Sequence, residues 1–231
     1  MFDQTRLRTQ AQRFLPLLIV LWLVALVPAA GKLLHFEWTS GATGATPSRL
    51  SSASAGGLSQ NASDIALLVV AIHPLCSCTR ATLKELEDSA ATWKQPYRAT
   101  FLIYKARPAL SASLDFDWHH AAYIREAQQA LHAEVVEDMN GEQAAKLGAL
   151  TSGEVILYSA ADQHGARRLL FSGGVTAGRG MEGENGGIAS LAQSINTHSI
   201  NATNTPVEAH APVYGCGLAA LSQPAPGGQT K

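Results

Sequence analysis

Two cysteines one residue apart, Cys76 and Cys78, lie in the stretch His73-Pro-Leu-Cys-Ser-Cys-Thr79, and a third, Cys216, lies near the C-terminus. A secreted scaffold stapled by disulfides carries more cysteines, in even number, so this pattern points to a redox or metal site. A continuous apolar run, Ile65 to Ile72, precedes the pair, and helical spacing at Leu83, Leu86 and Ala90 follows it. The pair is therefore expected where a buried strand hands over to a helix. The first N–H groups of a helix lack partners, and its dipole favours negative charge there. A thiolate at that end is stabilised, its pKa falls below ~8.5, and more nucleophile is present at neutral pH. The other thiol then attacks the mixed disulfide and releases the partner. Cys216 is an alternative resolving thiol, Arg80 a nearby positive charge, and His73 a residue that tunes the thiol pKa values. A Cys-x-Cys disulfide closes a tight ring, and strain makes it easier to reduce, which suits an oxidant or isomerase.

The same atoms allow a second chemistry. His73, Cys76 and Cys78 form a His-x-x-Cys-x-Cys cluster, and Cys216 brings the set to three sulfurs and a nitrogen. That soft set suits Cu(I) or zinc, so a metal-binding or delivery module competes with the redox reading. A third reading is a catalytically inactive interaction domain with inert cysteines.

Other parts of the chain set the compartment. Residues 1–13 carry Arg6, Arg8 and Arg13, and Phe14 to Ala30 then runs without a charge. Seventeen apolar residues span only ~25 Å as a helix, the short edge of what crosses a bilayer. Basic residues ahead of the run hold that side in the cytoplasm, so the remainder is expected in the periplasm or outside the cell. A membrane anchor is one reading of 14–30; a signal peptide cleaved near Val27-Pro28-Ala29 is the other. A net charge of −1 over 231 residues gives no argument for nucleic acid as a partner.

Residues 31–63 are rich in Ser, Gly, Ala and Thr and read as a flexible linker, with Trp38 at the membrane interface. The folded domain is expected over 64–198 and a mostly irregular tail carrying Cys216 over 199–231. Within the domain, strands are predicted at 65–72, 99–104, 134–137 and 154–158, with 168–171 as the hairpin partner of the last. Helices are predicted at 80–93, 119–132, 142–147 and 188–196, with a turn at Asn140-Gly141. Strands alternating with helices, closed by a hairpin, imply an α/β fold with a central mixed sheet.

That order, with a cysteine pair after the first strongly apolar strand, resembles the thioredoxin fold. The segments HPLCSCT (73–79), NGEQAAKLGALTSG (140–153), LLFSGGVT (169–176) and GCGL (215–218) resemble uncharacterised, membrane-anchored thioredoxin-like proteins labelled RedB. The resemblance implies a three-layer sandwich and thiol–disulfide exchange with protein partners in the cell envelope, without a cofactor. It aligns Cys76 with the attacking thiol, Thr79 with the usual resolving position, and Thr151 and Ser152 with the loop that faces the cysteines. Two departures stand out. The cysteines are separated by one residue in place of two, and the loop Leu150-Thr151-Ser152-Gly153 lacks the proline that shapes a peptide-binding groove in thioredoxins.

Weaker signals surround this core. Gly178 to Gly183 matches GxGxxG but lacks a following parallel strand, so a loop at the rim of the cysteine site is expected rather than a dinucleotide site. His119 and His120 read as solvated residues at a helix start, and Glu137 and Asp138 as surface carboxylates. Asn61-Ala-Ser and Asn201-Ala-Thr match the glycosylation pattern, which arises often by chance.

Overall fold

A computed structural model describes residues 4–51, 58, 65–106, 117–197 and 209–218, with side chains from Leu15 onward. The chain divides into two compact units, Met1–Thr39 and Ser40–Lys231.

The first unit is one helix, α1 (Gln4–Trp38), with Pro16 and Pro28 inside it. Its segment Leu15–Trp38 has 24 residues and a mean hydropathy of 2.3, and none of it is buried. At 1.5 Å per residue this is about 36 Å, long enough to cross a membrane. The helix thus runs past the expected boundary at Ala30 into the segment predicted as linker.

The second unit is a mixed α/β domain. Its strands are β1 (Arg49–Leu50), β2 (Ala66–Ile72), β3 (Tyr97–Lys105), β4 (Glu134–Met139), β5 (Val155–Tyr158), β6 (Arg167–Gly173) and β7 (Ala209–Ala211). Its helices are α2 (Ser77–Ala90), α3 (Ala122–Ala130), α4 (Glu142–Lys146) and α5 (Gly186–Thr197). The sheet order is β1-β6-β5-β2-β3-β4, with β7 also paired to β6. Strands β2, β3 and β4 are parallel, while β5 runs antiparallel to β2 and to β6. The hairpin partner expected at 168–171 is β6.

The continuous apolar runs are explained by burial on both faces of the sheet. Side chains alternate between faces. Leu68, Val70 and Ile72 meet Leu83 and Leu86 of α2, Ile124 of α3 and Leu191 of α5. Leu67, Val69 and Ala71 face the other way, with Ala144 of α4, Leu50 and Leu218. Strand β2 is therefore held between two cores, and its C-terminal end opens on α2. The predicted helix at 119–132 is a 3₁₀ turn, Trp118–His120, followed by α3, because the Asp117 side chain accepts from the His119 N–H and starts the turn early.

Two expectations about irregular segments need correction. Residues 40–50 do not behave as a free linker. Gly41 N–H donates to Val213 O at 2.7 Å, Gly44 N–H to Gly148 O at 2.7 Å, and Arg49–Leu50 pair with β6. The C-terminal region also contains an ordered part, 209–218, which begins with β7 parallel to β6. The remainder of the predicted linker (52–57 and 59–64) and tail (199–208 and 219–231), with both glycosylation matches, lies outside the described residues.

Candidate functional site

Strand β2 ends at Ile72, and the chain turns through His73–Leu75 into α2. The Cys76 N–H donates back to His73 O at 3.0 Å and closes the turn. Cys76 is the N-cap of α2 in an extended conformation (φ −87°, ψ 113°), and Cys78 is the second residue of the helix. Both are buried, at 1% and 6% exposure, so neither sulfur is openly accessible.

The remote third cysteine comes to the same place. Residues 215–218 lie along the loop before β5. The Ser152 N–H donates to Cys216 O and the Leu218 N–H to Leu150 O, both at 2.9 Å. Thr151 and Gly217 form an antiparallel bridge. Gly215 is required by close approach: a Cβ there would stand 2.0 Å from Ser152 O. The Arg179 guanidinium also donates to Gly215 O.

These contacts set the electrostatics. The Cys76 thiol is pushed down to about 4 by the Cys78 S–H, which donates to its sulfur; Cys216 and the Cys78 backbone N–H assist against burial. Cys78 is raised, first because its proton serves Cys76 and second by burial. Cys216 is pushed up to about 11 by burial and by its bond to Cys76. These shifts favour charge on Cys76 and protons on Cys78 and Cys216. All three cysteines are free.

The surrounding residues hold the geometry. Ser152 Oγ accepts from the His73 N–H at 2.7 Å and pairs with Thr79 Oγ1 at 2.7 Å, tying the β2–α2 turn to the loop before β5. Thr151 Oγ1 donates to Ala42 O at 2.7 Å. Gly153 holds φ +89°, and a Cβ there would lie 2.6 Å from Thr82 Oγ1. His73 stacks on Tyr104 with ring centroids 4.9 Å apart, and its Nδ1 accepts from the Leu75 N–H at 3.2 Å. Burial lowers the His73 pKa against the pull of Cys76. Among the described residues, no group of three or more His, Cys, Asp or Glu is arranged to hold a metal ion.

Sequence reasoning brought His73, Thr79, Thr151, Ser152 and the three cysteines to this site, and the structure brings all of them together. Arg80 differs. Its side chain is exposed, and the cation acting on Cys78 and Cys216 is Arg179. The GxGxxG stretch supplies that arginine and is held by Glu85, which accepts from the Gly183 N–H. Tyr123 was missed. Its hydroxyl donates to Pro74 O at 2.8 Å, and the Cys76 charge helps to raise its pKa after burial. Its apolar helix position gave no sign of this role. Glu154, at the start of the predicted strand 154–158, is fully buried.

The other polar candidates are structural. Asp138 is buried and caps α4, accepting from the N–H groups of Gln143 and Ala144 at 2.8 and 2.9 Å. Glu137 pairs with Lys105 at 2.7 Å. His120 pairs with Asp117 at 3.1 Å, and His119 stacks on Trp118.

No family profile matches the chain, and no curated protein matches it. Two solved structures are similar in shape. One is a hypothetical protein from Sinorhizobium meliloti, 19% identical, with a TM-score of 0.45, covering 78% of this chain and 94% of that one. The other is an uncharacterized conserved protein from Geobacillus kaustophilus, 13% identical, with a TM-score of 0.43, covering 83% and 96%. Likeness at this level carries no argument about function, which rests on the site itself.

Proposed function

We propose that this chain is a membrane-tethered, thioredoxin-like thiol–disulfide oxidoreductase whose nucleophile is Cys76 and whose domain faces the periplasm or cell exterior. One observation carries the reading: Cys76 is the N-cap residue of α2 just beyond a central strand, with Cys78 two residues on and the Cys216 segment bonded to Ser152 beside it. A buried thiolate at a helix N-terminus, beside a second thiol, has what exchange chemistry requires. Its sulfur attacks a partner disulfide, one half of the partner leaves as thiolate, and a neighbouring thiol resolves the mixed disulfide. The three basic residues ahead of the apolar segment support the orientation.

A second reading, a Cu(I) or zinc module, rests on the soft donor chemistry of the same three cysteines; among the described residues they are not arranged to hold an ion. His73 fits it poorly, since its Nδ1 already accepts a backbone hydrogen bond. The full chain in detergent, titrated with glutathione redox buffers and separately with Cu(I), distinguishes the two. A reversible two-electron couple that Cys76→Ser abolishes is expected. Absence of the couple with tight stoichiometric Cu(I) binding would establish the metal module instead. Absence of both would leave an interaction domain, whose cellular role a Cys76→Ser, Cys78→Ser double variant keeps.

A further inference from the structure

Cys76 has two candidate partners, and the backbone treats them differently. Cys78 follows it by two positions at the start of α2. A Cys76–Cys78 disulfide, with one residue between the two, closes a small, strained ring at the start of α2. Cys216 comes from a separate segment that faces Cys76 across the site.

That segment is seated as an extended peptide. It forms an antiparallel bridge at Thr151–Gly217, with backbone hydrogen bonds from Ser152 N–H and Leu218 N–H. Arg179 secures Gly215 O, and Gly41 N–H donates to Val213 O. Gly215 leaves no room for any side chain against Ser152 O. Cys216 is half-buried while Cys76 and Cys78 are buried, so the strap carries the more accessible of the three sulfurs.

We propose that Cys216 is the resolving thiol: the strap 213–218 docks on the loop Leu150–Ser152 as a tethered peptide and closes a Cys76–Cys216 disulfide, while Cys78 stays a thiol. The inference rests on the exchange reading. With a disulfide R–S–S–R as oxidant, the Cys76 thiolate forms Cys76–S–S–R and expels RS⁻, which takes a proton from water. The Cys216 sulfur then attacks the Cys76 sulfur, the S–S bond to R breaks, and the Cys216 proton passes to the second RS⁻. The partner disulfide gains two electrons and the Cys76–Cys216 pair loses them. Cys78 holds the thiolate ready by donating to it.

The test uses the full chain in detergent with oxidised glutathione, acid quench, alkylation of free thiols and tryptic peptide mapping. Cleavage after Arg80 and Arg179 leaves Cys76 and Cys78 on one peptide and Cys216 on another. The expected product joins the two peptides and carries an alkyl group on Cys78. Cys78→Ser still forms this bridge, more slowly. Cys216→Ser loses it and accumulates glutathione on Cys76. Gly215→Val, with all cysteines present, accumulates the same adduct because the strap is lifted from Ser152. A Cys76–Cys78 bond in the unaltered chain, or a Cys216→Ser protein that still clears its adduct as fast, overturns the inference and leaves the exchange reading intact. Failure of Cys76 to take up glutathione in every variant overturns both.

Discussion

At the residue scale, Glu154 couples stability to pH. It immediately precedes β5, is fully buried, and neither carboxyl oxygen has a hydrogen-bond partner of normal geometry. Burial raises its pKa from 4.5 to about 7, and the N–H groups of Leu150 and Thr151 pull it back only in part. The folded value lies above the unfolded one, so the protonated form is favoured in the folded state. Its contribution to stability is complete below about pH 4.5, declines as pH rises, and is lost above about pH 7. Glu154→Gln should remove this decline, so the urea midpoint of the variant should gain on that of the unaltered chain between those pH values. A constant difference across the window would show that Glu154 does not titrate there. Cys76 acts in the opposite direction, since its lowered pKa adds stability as pH rises, and comparison of the two proteins cancels that contribution.

At the element scale, the site depends on how α2 and the loop before β5 are joined. Thr79 is fully buried, and its hydroxyl meets Ser152 Oγ, which in turn accepts from the His73 N–H. Thr79→Val keeps the shape and leaves Ser152 with one partner fewer in a dry setting. The expected cost is about 1–3 kcal/mol, read from the urea midpoint, with faster alkylation of Cys76 as the turn loosens. An unchanged midpoint would mean that the pair contributes nothing. The start of α2 shows why the sequence placed the cysteines at a strand-to-helix junction but misplaced the start of the helix. Apolar spacing begins at Leu83 and predicts a helix from Arg80, whereas the backbone turns at Cys76 and the helix begins at Ser77. The first turn carries only Cys78 and Thr79 inward, and neither registers as an apolar repeat.

At the scale of the whole molecule, α1 and the domain are separate units, and α1 exposes large apolar side chains from Leu15 to Trp38. The full chain should therefore stay with membranes through an alkaline carbonate wash, while a chain lacking residues 4–38 should be released. Release of the full chain would rule out an anchor and favour a cleaved leader. A membrane-impermeant maleimide added to intact cells should label Cys216 if the domain faces outward, and should fail to do so if it faces the cytoplasm.

The sequence by itself determined the parts whose burial leaves a local pattern. The double-sided strand β2 appears as an unbroken apolar run, the helices as periodic stripes, the Asn140-Gly141 turn as its dipeptide, and the cysteine pair as two residues at a strand-to-helix junction. It also determined that an apolar helix lies near the N-terminus, which needs only composition, though not that the helix runs on to Trp38. Tertiary structure alone decided what meets the pair. Residues 40–50 and 209–218 are held by backbone hydrogen bonds and by glycines that allow contact, as at Gly41, Gly44 and Gly215. Such docking requires no apolar period, so both segments read as linker and tail. The same reason hid Arg179, whose position beside Gly215 follows from a loop closing over a strap. Cys216 was visible as a cysteine, and only the fold could bring it, 140 residues along the chain, to the sulfur of Cys76.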